Sequence, residues 1–249
     1  MARVGAGRDG GAGDYELVSI GDKLGLKGAA EPDSSAVFVD FLAPSLRYRV
    51  ASSAKQQGLC RAVGIKGGVR PRILDATAGF GKDAFLLASQ GCRVHMLERD
   101  ERVYALLRDG LRRGLDSVDL DALESLRRLT LERRNFLDTP LLMPSSAESG
   151  GLQSERRDAG DYCAESWDVV TLDPMFPESK KSARVKKDMF ALQGLLGAAD
   201  DAEQMWATAC RIAQKRVVVK RSKSAPALGD RAPDIQFKGS SSRFDVYLV

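Results

Sequence analysis

The sequence predicts an α/β fold: a mostly parallel sheet covered by helices on both faces, closed by an antiparallel hairpin and preceded by a small α+β extension. Three observations predict it. After Gly67–Gly68, apolar strand-like runs alternate with stretches of helical periodicity, the pattern of parallel strands joined by right-handed crossovers. A glycine-bearing turn lies at the first strand-to-helix junction, where an open α/β sheet receives its ligand. The last two apolar runs are separated only by Gly239–Ser242, too short for a crossover and suited to a hairpin.

The elements follow in order. Residues 1–66 form the extension, whose Gly-rich first 13 residues read as a loose terminus. Glu16–Ile20 and Val37–Phe41 read as strands, with Gly21, Asp22, Gly25 and Gly28 as turn residues between them. Ser52 or Ser53 caps a helix running to Val63 and ended by Gly64. The catalytic domain spans residues 67–249. Its expected strands are Arg72–Ala76, Arg93–Glu98, Leu129–Arg133, Trp167–Asp173 and Arg216–Lys220, then the hairpin of Ile235–Lys238 and Arg243–Val249. Its expected helices are Asp83–Gln90, Arg102–Gly114, Asp121–Arg128 and Ala202–Ala213. A polar stretch around Pro144–Asp161 reads as an insertion.

Composition narrows the class. A chain of 249 residues, 43% hydrophobic and 29% charged, has the balance of a soluble globular protein with one substantial core. No apolar run approaches the roughly 18–20 residues that span a bilayer. The start carries Arg3 and Arg8 but no apolar signal core, so secretion is not expected. Cys60, Cys92, Cys163 and Cys210 form no close pair, and His95 is the single histidine, which leaves a metal site short of ligands. A reducing, cytoplasmic setting fits this usage. The net charge of +4 does not by itself imply nucleic acid. Its distribution says more. Lys180, Lys181, Arg184, Lys186 and Lys187 form one cluster, and Lys215, Arg216, Lys220, Arg221 and Lys223 a second, either able to neutralise phosphates or simply to be a solvated face.

The run Leu74-Asp75-Ala76-Thr77-Ala78-Gly79-Phe80-Gly81-Lys82-Asp83 occupies the first strand-to-helix turn. A phosphate-binding P-loop needs Ser or Thr after Gly-Lys, but Asp83 stands there, and the earlier glycine is misplaced. A dinucleotide fingerprint needs a third glycine or alanine in register, and Asp75 sits badly beside a pyrophosphate. S-adenosylmethionine fits better, having no phosphates but a cationic sulfonium and an ammonium that Asp75 and Asp83 can face. Ala78, Gly79, Gly81 and Lys82 complete this loop. Glu98, closing the second strand, is placed to accept ribose hydroxyls. Asn135 and Phe136, after the third strand, are placed for adenine.

The strand Trp167–Leu172 runs into Asp173-Pro174-Met175-Phe176-Pro177, which matches the (Asp/Asn/Ser)-Pro-Pro-(Tyr/Phe/Trp) pattern of amino-group methyltransferases with Met175 in place of the second proline. An amine conjugated to a base is a weak nucleophile. The Asp173 carboxylate and the Pro174 carbonyl can accept its two hydrogens and favour a pyramidal nitrogen, an interaction strongest as charge develops. Phe176 can stack on the base. The basic run at Lys180–Lys187 follows at once, which favours a polyanionic substrate over a small amine.

These segments, with Gly91–Arg99, Val185–Lys187 and Arg216–Arg221, closely resemble the RsmJ family of bacterial small-subunit (16S) ribosomal RNA guanine-N2 methyltransferases. The resemblance covers about residues 36–249. It implies a class I S-adenosylmethionine-dependent, Rossmann-like catalytic domain and transfer of one methyl group to N2 of a guanosine. It also implies cofactor contacts at Lys82, Asp83, Glu98, Arg99, Asn135, Phe136 and Asp173. Asn135-Phe136 replaces a small polar pair common in the family, and the insertion and the Gly-rich start are further departures. From the residues alone three alternatives stay open: an adenine or cytosine amino methyltransferase acting on DNA, a non-catalytic RNA-binding assembly factor, and a nicotinamide dehydrogenase.

Overall fold

The computed structural model describes residues 15–29, 31–51, 53–138, 166–174, 201–239 and 242–249. Strands β1 (Tyr15–Ile20), β2 (Lys23–Gly28) and β3 (Val37–Phe38) make an antiparallel sheet in the order β1-β2-β3. Helices α1 (Pro44–Ala51) and α2 (Ser53–Val63) follow. The second sheet contains β4 (Ile73–Asp75), β5 (Val94–Glu98), β6 (Leu129–Arg133), β7 (Trp167–Leu172), β8 (Ala213–Ser222), β9 (Ile235–Lys238) and β10 (Ser242–Leu248). Between its strands lie α3 (Lys82–Ser89), α4 (Glu101–Leu115), α5 (Leu120–Leu126) and α6 (Ala202–Ile212).

The large sheet runs β6-β5-β4-β7-β8-β10-β9; β4 to β8 pair in parallel, and β10 is antiparallel to both β8 and β9. This is the class I methyltransferase order, as expected. The chain leaves β4 toward β5 and β6, then returns to build β7 and β8 on the other side. The carboxyl ends of β4 and β7 are therefore neighbours at the point where the order reverses, and a crevice opens there because their connections run off in opposite directions.

Both faces of this sheet are buried, which is why its strands are nearly continuous apolar runs rather than alternating ones. Successive residues enter different cores. Ile73, Met96, Val218 and Val246 face one, while Leu74, Leu97, Val217, Val219 and Tyr247 face the other beneath Met205 and Trp206 of α6. Helix α4 shows the helical counterpart. Asp100 caps it by accepting from the backbone N–H groups of Arg102 and Val103, and Val103, Leu106, Leu107, Gly110 and Gly114 form its buried stripe.

The small sheet packs on α4. Leu26, Val37, Val39 and Phe41 lie in the same core as Leu106 and Leu107. Polar ties reinforce the contact: Asp109 accepts from the Leu24 backbone N–H at 3.1 Å, and Arg113 donates to the Val39 carbonyl at 2.5 Å. Gly110 permits this approach, since a Cβ there would lie 2.6 Å from Val39 Cγ1 and 2.9 Å from its carbonyl oxygen.

Several sequence expectations need correction in detail. Lys23–Gly28, expected as a turn-rich connection, is a strand. Gly25 belongs there because the Phe38 ring lies across it, 2.7 Å from where a Cβ would stand. Helix α1 was not expected among the strands of the extension. Val37–Phe41 is a strand only at its first two residues, and Val39 and Phe41 continue as buried irregular chain. Gly64, with φ +87°, ends α2 as expected, and the Ile65 N–H reaches back to the Cys60 carbonyl at 2.9 Å.

Candidate active site

The glycine loop follows β4. Asp75 closes that strand with its side chain in the interior, 7% exposed. The chain then turns through Ala76–Gly81, with Gly79 and Gly81 at φ +54° and +67°. Gly81 is the N-cap of α3, and a Cβ on it would stand 2.9 Å from Leu107 Cδ2 and 3.2 Å from Phe41 Cζ. Sterics and backbone conformation thus both require glycine there. The Ala78 N–H donates to the Leu97 carbonyl at 3.1 Å, stitching the loop to β5.

Glu98 is 4% exposed at the end of β5. One carboxylate oxygen accepts from the Gly79 N–H at 2.9 Å and the other from the Asp100 N–H at 2.9 Å. The side chain therefore joins two strand-end loops, and each oxygen keeps a further lone pair for a hydroxyl. Burial pushes its carboxyl up to about 7, against the two N–H donors.

Asp173 leaves the end of β7 with its side chain 45% exposed. Its backbone N–H donates to Thr77 Oγ1 at 2.7 Å, which fixes the start of the Asp-Pro segment against the glycine loop. Its carboxylate accepts from Lys220 Nζ at 2.7 Å, and the same ammonium reaches Asp83 Oδ2 at 2.9 Å. Asp83 also pairs with the Arg49 guanidinium from α1. Four charged groups from α1, α3, β7 and β8 thus form a chain along the strand ends.

Electrostatics follow this wiring. Burial, then the nearby Asp83 charge, pushes Asp75 up to about 7. Burial acts to raise Asp83 too, but Lys220 and Arg49 outweigh it and hold that carboxyl well below the usual range. Partial burial at the strand end, aided by Asp83, raises Asp173 in spite of Lys220. Burial works against the Lys220 charge, and the two carboxylates reverse this and raise it.

The expected site residues are thus distributed as follows. Asp75, Ala78, Gly79, Gly81, Asp83, Glu98, Asp173 and Pro174 gather at the switch point. Lys82 starts α3 with its ammonium 5.8 Å from the Phe80 ring centroid. Arg99 pairs with Asp201, just before α6, at 2.6 Å. Asn135 Oδ1 accepts from the Leu137 N–H at 3.2 Å. An open cleft of about 440 Å³ lies beyond β5 and β6, lined by Arg99, Glu101, Arg133, Arg134, Asn135 and Asp138. Phe136 is 2% exposed, so its ring belongs to the core under α6 rather than to the cleft. Phe176 and Lys180, Lys181, Arg184, Lys186 and Lys187 lie outside the described residues.

The second basic cluster requires a correction. Lys215 pairs with Asp168 at 2.7 Å, Arg216 donates to the Ala62 carbonyl at 3.1 Å, and buried Arg221 donates to the Pro226 carbonyl at 2.8 Å. With Lys220 between two carboxylates, four of its five members have partners within the protein. Sequence reasoning missed Thr77 and Arg49 as parts of the site, and left Lys220 between a phosphate contact and a solvated face, whereas it pairs with Asp83 and Asp173.

Among the described residues no group of three metal-ligating side chains occurs, and no helix is long and apolar enough to cross a membrane. Burial pushes the Cys92 thiol up to about 11, the behaviour of a packing residue.

Residues 10–249 match the SAM_MT family of SAM-dependent methyltransferases. The ribosomal RNA small subunit methyltransferase J of Pseudoalteromonas atlantica is 44% identical over 91% of this chain and 82% of its own length. The protein of that name from Edwardsiella ictaluri is 45% identical over 93% of this chain and 84% of its own. The chain belongs to the ribosomal RNA small subunit methyltransferase J family. A crystal structure of a SAM-dependent methyltransferase from Neisseria gonorrhoeae, 31% identical, superposes with a TM-score of 0.69 over 98% of this chain and 86% of that one. Membership of the methyltransferase J family makes S-adenosylmethionine the cofactor. The residues fit it. A Cβ at Gly81 would crowd Leu107 and Phe41, and the buried carboxylates of Asp75 and Glu98 face the loop, accepting from the Thr77 and Gly79 N–H groups.

Proposed function

We propose that the protein transfers a methyl group from S-adenosylmethionine to the exocyclic N2 amine of a guanosine in small-subunit ribosomal RNA, in the cytoplasm. The observation that carries this reading is the placement of Asp173. Its carboxylate stands at the mouth of the switch-point crevice, fixed at its backbone by Thr77 and at its side chain by Lys220. The relatives' names, ribosomal RNA small subunit methyltransferase J, support the RNA over DNA as substrate. The Asp-Pro pair supports an amine over a ring nitrogen or carbon, because it offers two acceptors for two hydrogens.

The bound cofactor supplies an electrophilic methyl group on a sulfonium. The chain does the rest. Gly79 and Gly81 let the backbone approach it, Asp75 and Asp83 set a negative potential for its cationic end, and Glu98 offers lone pairs to its ribose. Lys82, Arg99 and Asn135 border the remainder. Asp173 and the Pro174 carbonyl accept the two amine hydrogens, aim the nitrogen lone pair, and stabilise the positive charge that grows on it. Phe176 stacks on the base, and Lys180, Lys181, Arg184, Lys186 and Lys187 neutralise flanking phosphates.

The test is incubation of the protein and S-adenosylmethionine with small-subunit particles from cells lacking this protein, then mass-spectrometric mapping of new methylguanosine. Asp173→Ala is expected to lower turnover by more than about a hundredfold while cofactor affinity stays within about tenfold. Unimpaired turnover by that variant, or methylation of adenine or cytosine instead, refutes the proposal.

A further inference from the structure

Lys220 does not face solvent as a member of a basic strand. Third from the end of β8, it meets two acidic groups at once: Asp173 Oδ2 at 2.7 Å and Asp83 Oδ2 at 2.9 Å. The sheet register makes this unavoidable. Leu172 of β7 pairs with Val219 of β8 in parallel, so the next residue on each strand, Asp173 and Lys220, emerge side by side. Alternation along β8 turns Lys220 to the same side as Val218, the side on which α3 and Asp83 lie. β10 closes the outer flank, with Phe244 opposite Lys220.

We infer that Lys220 is a positioning residue for the methyl transfer, holding one oxygen of the Asp173 carboxylate so that the other is presented to the amine, with Asp83 and Arg49 fixing the ammonium in turn. This rests on the proposed role of Asp173. A single carboxylate at a loop can rotate about its terminal bond and offer either oxygen in many directions. An ammonium on one oxygen removes that freedom before the base arrives, so less orientation is left to be found in the transition state. The ammonium itself needs restraint, because a lysine has four rotatable bonds and a strong preference for water. Asp83 supplies it from α3, and the Arg49 guanidinium of α1 keeps Asp83 from being drawn entirely to Lys220. The geometry also sets the charge state. Only an ionised Asp173 can accept an amine hydrogen on either oxygen, and the groups facing it among the described residues are Lys220 from β8, Asp83 from α3, Arg49 from α1 and Asp75 from β4. Lys220 is the cation in contact. Remove it, and Asp173 faces Asp83 with no charge between them.

The experiment measures kcat against pH, at saturating S-adenosylmethionine and with the same small-subunit particles, for the wild-type protein, Lys220→Met, Lys220→Arg, Asp83→Asn and Asp173→Ala. Loss of the contacting cation is expected to move the acid limb of Lys220→Met upward by about 1–3 pH units, with kcat at neutral pH reduced about tenfold or more and KM for the particle nearly unchanged. Lys220→Arg keeps the charge and is expected to hold the limb near that of the wild type. Asp83→Asn removes the repelling carboxylate and leaves the ammonium to Asp173 alone, so its limb moves downward. Shifts of opposite sign in two variants that both disrupt the same packed cluster are not produced by a merely structural role. Should Lys220→Met fail to fold, Lys220→Arg and Asp83→Asn still decide the matter. An acid limb that stays fixed in every variant, or shifts the same way in Lys220→Met and Asp83→Asn, overturns the inference. Full turnover by Asp173→Ala instead overturns the role of Asp173 on which it rests.

Discussion

Replacing Asp75 by Asn should make the protein more stable, and increasingly so as pH rises. Asp75 is 7% exposed and its carboxyl is pushed from an ordinary 3.8 up to about 7 by burial and by Asp83. The sign follows from proton binding. Between about pH 4 and pH 7 the unfolded chain releases this proton while the folded chain retains it, so stability falls as pH rises through that window. Above 7 both states are ionised and the full penalty persists. The difference of about 3 pKa units corresponds to about 4 kcal/mol, an upper bound because the site relaxes and admits water. Asn has nearly the same shape, still offers an oxygen to the Thr77 N–H that Asp75 meets at 3.4 Å, and carries no charge. Urea denaturation followed by circular dichroism, at constant ionic strength and where refolding is complete, gives the unfolding free energy of each protein. The gain of Asp75→Asn over wild type should already be about a third of its full value at pH 5 and grow to about 2–4 kcal/mol at pH 8. Glu98, also raised to about 7, contributes a slope of the same sign, but to both proteins, so it cancels in the difference. A gain that is flat between pH 5 and 8, or a loss that grows with pH, would show that Asp75 does not carry this penalty.

Two further outcomes follow from single contacts. Thr77→Val removes the hydroxyl that accepts the Asp173 N–H, and should lower kcat about tenfold with cofactor affinity preserved, whereas Thr77→Ser restores it; equal turnover of all three proteins in the methylation assay would remove Thr77 from the site. Gly110→Ala places a Cβ 2.6 Å from Val39 Cγ1, and the overpacking cost of about 1–3 kcal/mol should exceed the helix-propensity gain of about 1 kcal/mol, so the melting temperature falls; a rise would mean that the small sheet is not seated as described.

The large sheet was legible because two-sided burial writes itself into the sequence. Ile73-Leu74, Met96-Leu97, Val169-Val170 and Val217–Val219 are apolar without alternation, and each lies in a strand. β2 was not legible because Gly25 and Gly28 look like turn residues until the Phe38 ring is known to lie over the first of them. α1 buries only Leu46, so its helical stripe is too thin to stand out, although Pro44 at its first position was a usable signal. The site divides in the same way. Glycines and acids at strand ends announce themselves locally, and Asp75, Gly81, Glu98 and Asp173 do converge. Lys220 and Arg49 do not announce themselves, since a basic residue on an exposed strand and one that neutralises an acid look alike in sequence. What separates them is which strand lies next to which, and β8 meets β7 only through long-range topology. Phe136 shows the converse: a residue next to a cleft in sequence whose ring nevertheless turns into the core.

The seating of the small sheet on α4 has a mechanical consequence. With Val39 pressed against Gly110, and Asp109 and Arg113 gripping the backbone at Leu24 and Val39, no soft joint separates that sheet from the helix. Five residues of irregular chain, Val39–Ala43, lead from the sheet to α1, which carries Arg49 to Asp83. The small sheet, α1 and α3 share one core, so the charged chain that ends at Asp173 starts from a braced support rather than from a tether.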